Sequence, residues 1–145
     1  MKQAIATWES QARSVLRIIA GYMIILHGLR ETLGWLPPRA RGPGSFMALD
    51  PLGQVGGTIL LIAGVLLLVG LFTRLSAAVL AIQAVAAYIY AAAPRGVWPI
   101  RNGGNETLTY VFVFLYLAAA GAGVWSLDAL LDRGKSAKIE EAPAA

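Results

Sequence analysis

Three stretches of the chain carry no charged side chain, and each is long enough to cross a lipid bilayer. They cover residues 52–73, 75–94 and 107–127. A helix rises about 1.5 Å per residue, so about 20 apolar residues span a hydrocarbon core about 30 Å thick. Charged residues make up only 14% of the 145-residue chain, against about 25% in soluble domains. The sequence therefore predicts an integral membrane protein.

A fourth span is predicted near the N-terminus, where the charge-free stretch 18–29 is shorter. Arg17 precedes this stretch, and Arg30 and Glu31 follow it. Long charged side chains near helix ends can extend to the membrane interface, so a helix through these residues can still cross. The predicted fold class is an all-α integral membrane protein, in which four transmembrane helices form an antiparallel bundle. Its spans cover about 14–33, 53–72, 75–93 and 107–124.

The connections and the positive charges predict domain limits and orientation. Residues 1–129 form a single membrane domain, and the polar tail 130–145 is expected to be disordered. Seven Lys and Arg residues lie in the N-terminal segment, the tight turn between spans two and three, and the tail, whereas five lie in the two long loops. The positive-inside rule then places both termini in the cytoplasm. The expected location is the bacterial inner membrane, with multiple passes and the long loops in the periplasm.

Composition excludes several kinds of chemistry. The net charge is +4, but the basic residues are not clustered into a patch, so a nucleic-acid partner is not expected. The chain has no cysteine and one histidine, which excludes disulfides, Cys-ligated metals and a bis-His haem within one chain. The sequence carries no nucleophile–base triad, phosphate-binding loop or cluster of metal-binding carboxylates. We expect no metal and no covalent cofactor.

Polar side chains gather at the ends of the spans that the two long loops join. His27, Arg30 and Glu31 follow each other at i, i+3 and i+4 and therefore share one helix face. In an antiparallel bundle, the ends of spans one and three and the start of span four share one membrane face. We expect a polar pocket there, extended towards mid-span by Gln83 and roofed by Trp35 and Trp98. Its candidate residues are His27, Arg30, Glu31, Gln83, Tyr90, Glu106 and Tyr110.

These residues also have structural interpretations. Glu106 falls in the first turn of a helix, where the helix dipole favours an acid. Arg30 and Glu31 are also compatible with a simple ion pair at the membrane interface, which stabilises by less than about 1 kcal/mol if exposed. A lone His27 is compatible with a packing role. As a ligand site, a flat aromatic surface with a few hydrogen-bonding groups suits a quinone head group. At the opposite end, Arg74 and Asp128 are expected to pair as a structural clamp.

Four short motifs resemble the DoxX family of small bacterial membrane proteins over about residues 13–129. They are His27-Gly28 followed by a basic residue, Gly64 to Arg74, Asn102 to Glu106, and Gly121 to Asp128. The resemblance implies a four-helix membrane bundle in a group linked to quinone-dependent redox complexes that handle sulfur or oxidative stress. The family's polar positions fall here on His27, Arg30, Arg74, Glu106, Ser126 and Asp128. Arg30 stands where many relatives have Lys, and Asn105 interrupts the usual Gly-Gly-Glu run.

The expected function is that of an accessory subunit in quinone-linked redox or sulfur and oxidative-stress metabolism. If it is an enzyme, it is a quinone-linked membrane oxidoreductase component. The alternative is a non-catalytic anchor or assembly subunit whose small residues Gly53, Gly57, Ala77 and Ala81 dock partner helices. A small transporter is a third interpretation, which the lack of a detectable internal repeat disfavours. The expected partners are the bilayer, a membrane or periplasmic redox protein, and further copies of the chain.

Overall fold

The computed structural model describes residues 2–33 and 51–140, and within these ranges it contains helices and turns but no strand. The helix Thr73–Ala87 continues into a π-helical turn, Tyr88–Ala92, and a 3₁₀ turn, Ala93–Arg95. The predicted all-helical character is confirmed. The helices are α1 Lys2–Leu33, α2 Pro51–Val69, α3 Thr73–Ala87, α4 Pro99–Asn102, α5 Asn105–Ala120 and α6 Leu127–Glu140.

Two of the described helices are long and apolar enough to cross a membrane, Thr7–Leu33 and Thr73–Arg95. Shorter apolar helices cover Gly53–Val69 and Asn105–Ala120. The sequence prediction extended the second and fourth spans to residues 72 and 124, beyond their observed ends. The reason is glycine: Gly70 and Gly121 adopt φ angles of +74° and +85°, which end a right-handed helix at that point.

Four helices share one hydrophobic core. Helix α1 packs along α2, and α3 packs along α5, while α2 and α3 meet across the short turn between them. The buried apolar side chains therefore come from all four helices. They are Ala20, Ile24, Ala63, Leu67, Ala77, Leu80, Ala81, Phe114 and Leu117.

Glycines bring α1 and α2 into close contact. A Cβ atom on Gly21 would lie 2.8 Å from the backbone nitrogen of Leu68, and one on Gly28 would lie 2.7 Å from Leu61 Cγ. A Cβ atom on Gly57 would lie 2.8 Å from Glu31 Cβ. Without side chains at these positions, the two backbones approach closely enough for van der Waals packing, as in other membrane helix pairs.

The small residues expected to dock partner helices face the inside of this chain. Gly53 and Gly57 are buried, and Ala77 and Ala81 belong to the core with 0% and 4% exposure. Their small size serves the packing of the chain's own helices. This observation removes the structural basis on which a partner-docking surface was predicted.

Arg17 was expected to extend to the membrane interface, but the structure buries it, with 1% exposure. Its Nη1 donates to the carbonyl oxygens of Leu67 and Leu68, its Nη2 to Trp125 and its Nε to Ala122. These carbonyls belong to the end of α2 and to the segment after α5, where helical hydrogen bonding stops. A guanidinium carries five donors in a fixed plane, so Arg17 caps two chain segments at once.

Asp128 also joins separate segments, though not through the predicted partner Arg74. Its Oδ1 and Oδ2 accept hydrogen bonds from the backbone nitrogens of Phe72 and Thr73, each at 2.9 Å. An acidic side chain stabilises unpaired N–H groups at a helix N-terminus, and here it caps α3. The exposed Arg74 side chain instead lies beside Gly121.

The chain forms helix α6 where the sequence analysis expects a disordered tail from residue 130. Ser126 Oγ accepts a hydrogen bond from the backbone nitrogen of Ala129 at 3.1 Å, the arrangement of an N-cap residue. The Asp128 backbone nitrogen also donates to Gly70 O at 2.9 Å. These contacts start α6 at a fixed position against the turn between α2 and α3.

Candidate functional site

A cavity of about 640 Å³ lies between α1, α2, α3 and α5. It occupies the end of the helices where α1 finishes and α5 begins, here called the His27 end. Leu80 and Phe114, both fully buried, lie on its deep side. All seven predicted pocket residues contribute to its wall: His27, Arg30, Glu31, Gln83, Tyr90, Glu106 and Tyr110.

His27 and Glu106 form the central polar contact of the cavity. His27 Nε2 lies 3.3 Å from Glu106 Oε1, and His27 Nδ1 lies 3.0 Å from the carbonyl oxygen of Met23. A carbonyl oxygen only accepts, so the contact with Met23 requires a proton on Nδ1. The second contact becomes a hydrogen bond when one more proton is held on either Nε2 or the carboxyl group. The pair can therefore take up and release one proton.

The local sequence explains why these two side chains meet. His27 lies in the last turns of α1, and Glu106 lies in the first turn of α5. The free N–H groups of that first turn favour a carboxylate. Side-chain exposures of 27% for His27 and 38% for Glu106 show that the pair is open to the cavity.

Asn102 holds the start of α5 in place, a role that sequence reasoning missed. Its side chain is 2% exposed; Nδ2 donates to Gly96 O at 2.8 Å, and Oδ1 accepts from the Gly104 backbone nitrogen at 2.8 Å. The amide thus joins both sides of the loop that precedes Glu106. The signal was available in the sequence, because an Asn before two glycines is typical of a side chain that bonds its own turn.

Aromatic rings form the wall beside the His27–Glu106 pair. The Tyr110 ring meets the His27 ring edge to face, with centroids 6.0 Å apart, and stacks on Phe114 at 5.6 Å. Tyr110 follows Glu106 by one helical turn and Phe114 by two, so the rings continue the same face of α5 towards the core. The wall offers a flat apolar surface directly below a polar group.

The remaining predicted residues surround the same cavity. Arg30 Nη2 donates to Glu31 Oε1 at 3.0 Å, so these neighbours form an ion pair at the rim. Tyr90 lies in the π-helical turn and is 65% exposed. Trp98, expected as part of the roof, is 67% exposed and is not part of the cavity wall. Trp35 lies outside the described residues.

The donors in the cavity suit an organic head group better than a metal ion. Among the residues that the structure describes, no three His, Asp or Glu side chains come together as metal ligands. The wall instead combines apolar and aromatic surface with a few polar groups. Organic ligands are bound in cavities of this composition, with volumes of about 300–1,000 Å³.

Comparison with known proteins identifies the family. The family model described as DoxX matches residues 12–93. The chain belongs to the DoxX family. A protein of Haemophilus influenzae (strain ATCC 51907 / DSM 11121 / KW20 / Rd), described only as uncharacterized, is 39% identical over 116 residues, which cover 78% of this chain and 85% of that protein. No solved structure matches significantly.

Family membership supports a DoxX-like membrane protein and confirms the family predicted from the four motifs. The DoxX match covers helices α1 to α3, which carry His27, Arg30, Glu31, Gln83 and Tyr90. The other two predicted cavity residues, Glu106 and Tyr110, lie on α5, beyond the matched range.

Proposed function

We propose that the four apolar helices of this DoxX-family protein cross the bacterial inner membrane as an antiparallel bundle. Two contacts support opposite directions for α1 and α5: Arg17 bonds to the segment after α5, and His27 pairs with its first turn. Both termini lie in the cytoplasm, where the larger share of Lys and Arg is found. The His27 end then lies on the periplasmic side, and the protein passes the membrane several times.

The chain contains no native cysteine, which makes this orientation directly measurable. Single variants Val97→Cys and Ala144→Cys are labelled in intact cells with a membrane-impermeant maleimide. Position 97 is 87% exposed in the native chain, and we expect Val97→Cys to be labelled in intact cells whose outer membrane has been made permeable to the reagent. Ala144→Cys is expected to be labelled only after the cells are lysed. The reverse pattern would overturn the orientation.

We further propose that the cavity binds a quinone head group and that the protein serves quinone-linked redox metabolism as an accessory subunit. The observation that carries this proposal is the His27–Glu106 contact of 3.3 Å in the wall of an aromatic cavity of about 640 Å³. A bound quinone would supply two-electron redox chemistry that is coupled to protons. The His27–Glu106 pair is suited to exchange a proton with such a ligand, because it can hold one transferable proton.

In this proposal the proton pair, the aromatic wall and the rim have separate tasks. The His27–Glu106 pair donates a proton to a polar group at the rim of the cavity, or accepts one from it. The Met23 carbonyl keeps the imidazole oriented by accepting from Nδ1. Tyr110 and Phe114 provide the stacking surface, and the Arg30–Glu31 pair lies at the rim.

The binding test uses purified protein in lipid nanodiscs with radiolabelled decylubiquinone. Retention by empty nanodiscs is subtracted. We expect the wild type to retain the quinone and Glu106→Gln to retain it with about tenfold lower affinity, because one charge-assisted hydrogen bond is lost. Glu9→Gln is the matched control, since Glu9 pairs with Arg13 on the far part of α1. Wild-type retention equal to that of empty nanodiscs would refute the proposal.

A further inference from the structure

Two predicted cavity residues, Gln83 and the exposed Tyr90, have polar groups without a task in the proton pair, the aromatic wall or the rim. Gln83 is the less exposed of the two. It extends from α3 into the cavity wall. A Cβ atom on Gly56 of α2 would lie 2.9 Å from Gln83 Nε2, so the amide reaches the opposite helix at a position without a side chain. Among the described residues, no polar group forms a hydrogen bond with this amide.

The amide of Gln83 has an open position beside the cavity. Gln83 is half-buried, and Ile59, Leu60, Leu80 and Ala84 share this part of the wall. A polar group among apolar side chains favours a hydrogen-bond partner. A ligand in the cavity would supply that partner.

The depth of Gln83 differs from that of the proton pair. A Cβ atom on Gly104 would touch Tyr88 and Ala92, which places Glu106, two residues later, at about the level of Tyr88. Gln83 then lies five residues deeper along α3, or about 7.5 Å at 1.5 Å per residue. By the same measure Tyr110 on α5 lies about 6 Å deeper than Glu106, and Phe114 lies about 12 Å deeper.

We infer that Gln83 donates a hydrogen bond to the deep end of the ligand, while the His27–Glu106 pair binds its shallow end. The inference rests on the proposed quinone function and narrows the ligand class. The cavity selects a flat ring with hydrogen-bond acceptors at two opposite ends, as in a para-quinone, over an amphiphile with a single polar group. The ring lies along Tyr110 and Phe114.

The nanodisc retention assay tests the inference with two ligands, decylubiquinone and 4-decylphenol, which has one polar group. We expect Gln83→Leu to weaken decylubiquinone retention about tenfold, the loss of one hydrogen bond, and to leave 4-decylphenol retention unchanged. The thermal midpoint of ligand-free Gln83→Leu is expected to equal or exceed that of the wild type. Gln54→Leu, the same exchange at an exposed position outside the cavity, is the matched control.

A second variant moves the amide without removing it. Gly56→Ala places a methyl group 2.9 Å from Gln83 Nε2, too close for contact, and the flexible glutamine side chain must shift. We expect this variant to fold and to lose decylubiquinone affinity as Gln83→Leu does. If both variants retain decylubiquinone like the wild type, the inference fails and the quinone proposal stands. If the wild type itself retains none, the quinone proposal fails as well.

Discussion

Replacing Arg17 by lysine tests how the ends of the helices are fixed. The substitution keeps the positive charge but replaces a planar group with donors on three nitrogens by one ammonium group. In the structure the guanidinium reaches Leu67 and Leu68 on one side, and Ala122 and Trp125 on the other. A single nitrogen cannot serve both sides at once, so at least two carbonyl groups lose their partner.

The expected loss of stability follows from these contacts. Hydrogen bonds to a charged group contribute about 1.5–3 kcal/mol each, so losing two costs about 3–6 kcal/mol. Water that enters the vacated site reduces this penalty, and we expect the free energy of unfolding to fall by about 3 kcal/mol, the lower end of that range. For a protein of about this length, 1 kcal/mol shifts the thermal midpoint by about 2–4 °C. Arg17→Lys should therefore melt about 6–12 °C below the wild type.

The assay is thermal unfolding of detergent-solubilised protein, followed by size-exclusion chromatography after heating. Arg133→Lys is the matched control, because Arg133 is exposed on α6 and such substitutions change stability by less than about 0.5 kcal/mol. If Arg17→Lys melts within about 2 °C of Arg133→Lys, a difference of at most about 1 kcal/mol, then Arg17 does not hold the two segments together.

Two further substitutions, with one control, test the α1–α2 packing and the cap of α3 in the same melting assay. Gly28→Ala should cost about 1–3 kcal/mol by overpacking, because its Cβ would lie 2.8 Å from the backbone nitrogen of Leu61. Gly134→Ala, with no atom within 4 Å of the new Cβ, should be neutral or stabilise α6 by up to about 1 kcal/mol; equal losses in both would refute the close α1–α2 contact. Asp128→Ala should cost about 1–2 kcal/mol by removing the cap of α3, and an unchanged midpoint would show that its two hydrogen bonds contribute nothing.

The sequence allowed the helical class and the composition of the cavity wall to be predicted, because both depend on spacing along the chain. Charge-free runs mark apolar helices, and the i, i+3, i+4 rule placed His27, Arg30 and Glu31 on one face. The loop before Glu106 reverses the direction of the chain after α3, so the start of α5 lies beside the end of α1. The predicted residues therefore lie around one cavity.

The helix ends and the polar contacts between helices could not be predicted in the same way. Gly70 and Gly121 end α2 and α5 through positive φ angles, and many glycines in apolar helices do not end them. Arg17 has acceptors more than 100 residues away in the chain, so only the folded structure shows why its charge is buried. Asp128 was assigned to Arg74 by charge, whereas backbone N–H groups at the start of α3 are its actual partners.

We propose above that the cavity around His27 and Glu106 binds a quinone, and this binding is expected in the membrane where the protein is made. The direct measurement is extraction of lipids from protein isolated in polymer-bounded native membrane discs, followed by mass spectrometry of the quinones. We predict that the wild type carries quinone above the level of the surrounding lipid and that Glu106→Gln, isolated in equal amount, carries clearly less. Equal quinone content in the wild type, Glu106→Gln and the bulk membrane would contradict the claim.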